Sequence, residues 1–185
     1  GSEKGCDTYI GRLRKARADQ RNEEIIKSMI SRSAPDLTLP DAEGKVVKLA
    51  DLRGKVVVLD FWATWCGPCK RSFPAMQKTV EKYRDDPNVV FLFIHTWEKE
   101  NNATEEAVKY LKDNDYSFRL LMDLKDPKTK ANEVVKSYGV TGIPSKFVID
   151  PQGQIRFHVT GAAGSDDEIV AELSQMIEMA REKKN

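Results

Sequence analysis

The segment 60–70 reads DFWATWCGPCK and contains two cysteines, Cys66 and Cys69, separated by two residues. Cysteines at this spacing can close a small disulfide ring in the first turn of a helix, where backbone N–H groups are unpaired. Those groups and the helix dipole favour a thiolate. Because Cys66 is nearer the start of the helix, we expect it to attack a substrate disulfide. We expect Cys69 to resolve the mixed disulfide that results.

A zinc site is the alternative interpretation of a C-x-x-C pair. Structural zinc ordinarily needs four ligands, and the further ligands available in this sequence have no ligand spacing; they are Cys6, His95 and His158. We therefore expect neither a metal nor another cofactor. The two histidines are interpreted as ordinary core or surface residues, and Cys6 as an ordinary thiol near the start of the chain.

The elements around the motif predict an α/β domain. The apolar runs 56–61 and 88–94 are typical of strands covered on both faces of a parallel sheet. Between them, apolar side chains recur at helical spacing, namely Phe73, Met76, Val80 and Tyr83. This pattern predicts a strand–helix–strand unit with a right-handed crossover. The two cysteines lie where its first strand turns into its helix.

Periodicity and turn signals predict the remaining elements. The predicted helices are 8–31, 105–114, 130–138 and a closing helix that follows a capping box of Ser165 and Glu168. The predicted strands are 118–122, 146–149 and 154–159. A hairpin is predicted from 37–39 and 46–49 around the turn 41–44. We expect residues 1–33 to be an N-terminal helical extension, such as the end of a region outside this sequence. Residues 34–185 are expected to form the main domain.

Composition excludes several classes of protein. The 185 residues are 40% hydrophobic, which is enough for one full core, and the formal charge is +1, so we expect no nucleic-acid partner. No apolar stretch approaches the roughly 20 residues that span a bilayer, so we expect a soluble chain. The opening Gly1-Ser2 pair is typical of a cloning remnant, and we expect the natural N-terminus, with any export signal or anchor, outside this sequence. The oligomeric state is left open.

The segment 60–70 resembles the active-site signature of the thioredoxin family, and the resemblance extends over most of residues 35–180. The stretch LADLRGK at 49–55 is similar to the exported TlpA/ResA-like branch in particular. This resemblance implies a thiol-disulfide oxidoreductase with a thioredoxin-like fold, a central mixed sheet flanked by helices. The branch adds an N-terminal hairpin, here 35–49, and a helix–strand insert, here about 98–125.

The resemblance also implies roles for single residues. Asp60 interrupts an apolar run, where a carboxylate is costly unless it is protonated or paired. It matches the family's buried acid, which takes the proton of the resolving cysteine. The TGIP stretch at 141–144 matches the family's cis-proline loop, so we expect a cis Ile143–Pro144 bond. The residues expected to contact substrate are Trp65, Gly67, Pro68, Ile143 and Pro144.

Three further positions bear on the resemblance. Pro74 matches the family's proline in the active-site helix. Proline removes a helical N–H and therefore kinks the helix. Ser72 departs from the glutamate that many TlpA/ResA-like proteins carry there. Thioredoxin itself has a lysine near its buried acid, and the predicted strand 89–94 carries none. The effect of these departures on the pKa values of the two cysteine thiols is therefore left open.

Other functions remain open beside disulfide reduction. Peroxiredoxins carry a proline and a threonine before their cysteine, where this chain has Leu59 and Ala63. A copper-delivery module uses C-x-x-x-C with a distant histidine, and a disulfide isomerase would share the present motif. We expect protein disulfides as substrates, a thiol electron donor such as a membrane protein, and a location in the bacterial periplasm or on a membrane facing it.

Overall fold

The computed structural model describes residues 2–98 and 102–182 of the chain, without the side chains of residues 2–8 and of Arg14. The prediction made for the Cys6 thiol lies outside the described residues. Two compact units are present, residues 1–30 and residues 31–185. The first contains helix α1, Ser2–Ser28, which begins before the predicted range 8–31 and ends before it does.

In the second unit, helices surround a six-stranded sheet and a two-stranded hairpin. The strands are β1 (Arg32–Ser33), β2 (Thr38–Pro40), β3 (Val46–Lys48), β4 (Val56–Trp62), β5 (Val89–His95), β6 (Leu120–Met122), β7 (Ser145–Ile149) and β8 (Gln154–Thr160). The helices are α2 (Gly67–Lys82), α3 (Ala103–Asp113), α4 (Glu133–Ser137) and α5 (Asp166–Arg181), with a short 3₁₀ helix at Leu49–Leu52.

Strand β4 occupies the centre of the large sheet, whose strand order is β1-β8-β7-β4-β5-β6. It pairs parallel with β5 and antiparallel with β7. The sheet is therefore mixed, which confirms the predicted α/β class. The hairpin of β2 and β3 and the helix–strand insert of α3 and β6 are also confirmed.

Helix α4 is shorter than the predicted range 130–138. A turn occupies the residues before it, because Asp126 Oδ1 accepts hydrogen bonds from the N–H groups of Lys128 and Thr129. Lys130 then adopts a left-handed backbone with φ of 59°. Carboxylate-to-backbone bonds of this kind compete with helix formation, so the helix begins only at Glu133.

The two faces of β4 are covered by different elements. Successive side chains of a strand point to opposite faces of its sheet. On one face, Leu59 and Phe61 join an apolar cluster that includes residues of the hairpin and of α4. On the other face, Trp62 contacts Phe73 of α2 with ring centroids 5.0 Å apart, and α5 also packs against β4 and β7. Asp60 lies two residues before Trp62 and so belongs to this second face.

Helix α5 begins with the predicted capping box. The Ser165 side chain accepts a hydrogen bond from the Glu168 backbone N–H, and the Glu168 side chain accepts one from the Ser165 N–H. Two N–H groups that the helix itself leaves unpaired are thereby satisfied.

Removing this cap should destabilise the domain. We expect Ser165→Ala to lower the free energy of unfolding by about 1 kcal/mol, and Ser165→Asp, which keeps an acceptor, to change it by only a few tenths. Denaturant titration of the three proteins measures both effects. Equal stability of Ser165→Ala and wild type would show that the capping box contributes nothing.

Candidate active site

The cysteine pair lies at the start of helix α2. Cys66 is the N-cap residue, and the backbone N–H of Cys69 donates a hydrogen bond to Cys66 Sγ over 3.2 Å. The two sulfurs are joined by a disulfide with an S–S distance of 1.99 Å. The first turn of α2 carries no acidic side chain that would oppose the helix dipole at Cys66. Upon reduction, this position favours a Cys66 thiolate.

Two other positions in α2 bear on the cysteines. Pro74 lies inside the helix, as predicted. Ser72 is buried, and its hydroxyl donates to the carbonyl of Cys69 over 2.8 Å. Both sulfur-bearing residues are covered as well, with 2% of Cys66 and 0% of Cys69 exposed. Of the two cysteines, only Cys66 keeps any contact with solvent.

Asp60 is buried in the middle of β4 and has a charged partner. It is 1% exposed, and its neighbours across the sheet are Phe93 on β5 and Lys146 on β7. Lys146 Nζ lies 3.4 Å from Asp60 Oδ1. Burial raises the pKa of Asp60, and the charge of Lys146 opposes that rise. A carboxylate at this place was expected to need a partner, and Lys146 is that partner.

The lysine beside Asp60 comes from β7 and not from the predicted strand 89–94, which carries no lysine. The strand β5, predicted at 88–94, places Phe93 beside the acid, whereas the lysine comes from β7, which is distant in sequence. One signal was present, since Lys146 opens a run that is otherwise apolar, KFVI. Burying a lysine and burying an aspartate each cost desolvation free energy. The attraction between the two charges offsets that cost only if their strands are neighbours.

The Ile143–Pro144 bond is cis, as predicted. The register of β4 and β7 sets Phe61 opposite Ser145, so Pro144 is level with the end of β4 from which the motif emerges. Trp65, immediately before the first cysteine, is 54% exposed. The predicted substrate-contacting residues thus include an exposed indole and a proline at the same end of the central strand.

A loop after β5, residues 96–98, holds the residues that precede Cys66. The Trp65 indole N–H donates to the carbonyl of Trp97 over 3.1 Å, and the Thr64 hydroxyl donates to the Glu98 carboxylate. Trp97 has a left-handed backbone with φ of 53°. A bulky residue in that region stores about 1–3 kcal/mol of strain, which surrounding contacts must offset. The sequence carries no local signal for these bonds, because they join residues far apart in the chain.

His95, at the end of β5, belongs to the same group of residues. It is 1% exposed, its Nε2 lies 3.3 Å from Glu98 Oε2, and its ring centroid lies 4.9 Å from that of Trp62. Burial lowers the pKa of His95 to about 4, although the neighbouring Glu98 carboxylate opposes the change. His158 lies elsewhere, exposed on β8 and stacked on Phe147.

The described residues contain no group of three or more His, Cys, Asp or Glu side chains that could hold a metal ion. Within the same part of the chain, no helix combines the length and apolar character that a membrane span needs.

The buried His95 should make stability depend on pH. Its pKa is about 6.5 when unfolded and about 4 when folded, so between those values the unfolded chain binds a proton that the folded chain does not. The free energy of unfolding should therefore fall as the pH drops from about 6.5 to 4, by at most a few kcal/mol. Urea titrations across this range should show a shallower fall for His95→Gln.

The comparison variant is His158→Gln. The pKa of His158 is also lowered, by partial burial and by the charge of Arg32, but this imidazole is exposed, so the variant should keep most of the wild-type fall. A His95→Gln variant as pH-sensitive as wild type would contradict the assignment of the buried histidine as neutral.

The chain is similar to known proteins over most of its length. The sequence pattern of the AhpC/TSA family matches residues 30–158. The thiol-disulfide oxidoreductase ResA of Bacillus thuringiensis subsp. konkukian is 33% identical over 136 residues, which cover 73% of this chain and 72% of that protein. ResA of Geobacillus thermodenitrificans is 33% identical over 138 residues, covering 75% and 73%.

A solved structure adds the fold. A Chlorobium tepidum protein, described provisionally as thiol:disulfide interchange protein DsbE, matches with a TM-score of 0.66 and 36% identity over 81% of this chain and 96% of that one. The predicted thioredoxin-like fold is thereby confirmed. The chain belongs to the AhpC/TSA family and, with its thioredoxin-like fold and its Cys66–Cys69 pair, is a thiol-disulfide oxidoreductase.

Proposed function

We propose that this oxidoreductase reduces protein disulfides, with Cys66 as the nucleophile, Cys69 as the resolving thiol and Asp60 as the proton acceptor. The observation that carries the proposal is the position of Cys66 as the N-cap of α2, in hydrogen-bond contact with the N–H of Cys69. A sulfur at this position gains from the helix dipole as a thiolate, whereas a sulfur inside the helix gains less.

The reaction takes two exchange steps. In the first, the Cys66 thiolate attacks one sulfur of the substrate disulfide, the substrate S–S bond breaks, and a mixed disulfide forms. In the second, Cys69 loses its proton to Asp60 and attacks Cys66 Sγ, so that the Cys66–Cys69 bond forms and the mixed disulfide bond between Cys66 and the substrate breaks. The two substrate sulfurs leave as thiolates and take up protons from water, and Asp60 returns its proton to water. Two electrons pass to the substrate, and a thiol donor must return them before another cycle.

A substrate segment would lie across the end of the sheet where the motif emerges. The exposed Trp65 supplies apolar contact area there, and its indole is fixed by the carbonyl of Trp97. Pro144 is level with the end of β4. The residues assigned to this contact surface are Trp65, Gly67, Pro68, Ile143 and Pro144.

The location and partners belong to the same proposal. We place the domain in an exported compartment, the bacterial periplasm or a membrane surface facing it, with a thiol donor that can itself be a membrane protein. The similarity of residues 49–55 to an exported branch supports this location. We also propose that helix α1 is an extension of the catalytic domain, whose sheet includes Arg32 and Ser33 of β1.

Trapping distinguishes the roles of the two cysteines. In Cys69→Ser the mixed disulfide cannot be resolved from within, so covalent complexes between Cys66 and natural substrates should accumulate and survive non-reducing electrophoresis. Mass spectrometry of the complexes identifies the partners and the linked cysteine.

The matched control is Cys66→Ser, which keeps the other thiol and should trap almost nothing. If both variants trapped equally, the assignment of nucleophile and resolving thiol would be wrong.

The role of Asp60 is tested with reduced protein and an aromatic disulfide that releases a coloured thiolate. A first phase of colour reports attack by Cys66, and a second phase reports resolution by Cys69. We expect Asp60→Asn to slow the second phase by roughly tenfold to a hundredfold and to change the first by less than about twofold. The second phase of wild type should rise with pH as Asp60 ionises, and the variant should lose that rise.

A suitable control is Asp150→Asn. Asp150 is also buried, but it lies at the far end of β7, where it accepts hydrogen bonds from the backbone N–H groups of Gln152 and Gln154. Both phases should match wild type in that variant. An Asp60→Asn protein with an unchanged second phase at every pH would remove Asp60 from the mechanism.

A further inference from the structure

The turn that leads into Cys66 is held by a side chain from another part of the chain. The turn itself is closed by the Cys66 N–H, which donates to the Ala63 carbonyl over 3.1 Å. Thr64 lies inside the turn, and its hydroxyl donates to Oε2 of Glu98, a residue 34 positions later. Because surface turns and loops are more mobile than the elements they connect, this bond restricts the residues immediately before Cys66.

The loop that supplies Glu98, residues 96–98, is anchored at its base. The Thr96 N–H donates to the Trp62 carbonyl over 3.0 Å. The Thr96 hydroxyl donates to the Asp123 carboxylate over 3.0 Å. Asp123 is 2% exposed and also accepts two backbone N–H groups at the start of α4. The base of the loop is therefore fixed both to the central strand and to α4, so the loop can support the turn.

Glu98 is held where a carboxylate is costly. Its side chain is 9% exposed, and His95 Nε2 lies 3.3 Å from the same oxygen that accepts the Thr64 hydroxyl. Neither ring nitrogen of His95 makes a hydrogen bond within the described part of the chain, so of these two contacts the hydrogen bond is the one from Thr64. Covering a carboxylate costs free energy unless hydrogen bonds replace those of water. The bond to Thr64 offsets part of that cost.

The same loop fixes the exposed tryptophan beside the cysteines. Trp65 is 54% exposed, yet its indole N–H donates to the Trp97 carbonyl over 3.1 Å. Trp97 has a left-handed backbone, with φ of 53°, and a bulky residue stays in that region only where surrounding contacts hold it. Its side chain packs against the apolar core cluster, and the bond between Glu98 and Thr64 holds the next residue.

We propose that Glu98 is a positioning residue for substrate capture. Its bond to Thr64 fixes loop 96–98 against the turn before Cys66. The fixed loop then holds the Trp65 indole in the orientation that a substrate segment meets. The inference rests on the function proposed above, in which Trp65 contacts the substrate. A side chain that is already fixed loses less conformational entropy on binding, so Glu98 acts on the affinity for a peptide segment and not on the exchange of bonds.

Kinetics with two substrates test this role on the full chain. One substrate is a synthetic peptide with a single internal disulfide, and the other is the small aromatic disulfide of the colour assay. We expect Glu98→Ala to raise KM for the peptide about threefold to tenfold, and to change kcat and the first colour phase by less than about twofold. Glu98→Gln keeps an oxygen that can accept the Thr64 hydroxyl and should recover most of the affinity.

Variants of the donor provide matched controls. Thr64→Ser keeps the hydroxyl and should retain most of the affinity, whereas Thr64→Val removes it at nearly the same size and should raise KM as Glu98→Ala does. Combining Thr64→Val with Glu98→Ala should raise KM no further, because both changes remove the same bond. Glu43→Ala, at an exposed position in the turn of the hairpin, should leave both substrates unaffected.

Hydrogen exchange reports the state of the indole directly. The NMR signal of the Trp65 indole N–H is assigned by its loss in Trp65→Phe. We expect this proton to exchange with water at least about fivefold faster in Glu98→Ala than in wild type, and to stay slow in Glu98→Gln. The indole signal of Trp62, which is fully buried, should keep its exchange rate and so shows that the variants are folded.

The outcomes separate this inference from the proposed function. An unchanged KM or an unchanged indole exchange rate in a folded Glu98→Ala protein would overturn the inference, and so would a Glu98→Gln protein as impaired as Glu98→Ala. If Glu98→Ala does not fold, Thr64→Val supplies the same comparison. Trp65→Ala should raise KM at least as much as Glu98→Ala. An unchanged KM in Trp65→Ala, or a peptide that wild type does not reduce, would instead overturn the proposed function, and this inference with it.

Discussion

The central strand β4 is the constraint on which the rest of the domain depends. It is paired on both edges, covered on both faces and buried along its whole length. Because the chain leaves this strand directly into α2, the N-terminus of that helix is fixed at the end of the sheet. Cys66 therefore lies where a helix best stabilises negative charge. The turn that positions it is anchored in the core at both ends, by β4 and by α2.

The same burial explains the polar groups near the motif. A strand covered on both faces has no need of an aspartate, and a buried ion pair adds little to stability compared with apolar residues of similar size. The pair of Asp60 and Lys146 is therefore more easily explained by chemistry than by folding. His95 and Glu98 form a second pair near the motif, in which the histidine is buried and the glutamate is partly exposed. The Glu98 carboxylate also accepts a hydrogen bond from Thr64, in the turn that leads to the cysteines.

Much of the fold could be predicted from the sequence because its signals are local. Apolar runs identified β4 and β5, helical spacing identified α2, and a capping box identified the start of α5. Local signals failed where a side chain competed for the backbone, as Asp126 does before α4. They also failed for Lys146, because a partner across the sheet depends on strand order and register, which one sequence does not contain, and for the bond between Glu98 and Thr64, which joins two separate loops. The motif located the cysteines, but their surroundings come from distant segments.

The central claim is that Cys66 and Cys69 exchange a dithiol for a disulfide with a protein substrate. The most direct measurement mixes the fully reduced protein with an oxidised protein substrate, quenches with acid and an alkylating agent, and maps every cysteine by peptide mass spectrometry. The account predicts that each pair of new substrate thiols is matched by one Cys66–Cys69 disulfide. A substrate that remains oxidised, or one that is reduced while Cys66 and Cys69 both remain thiols, would contradict it.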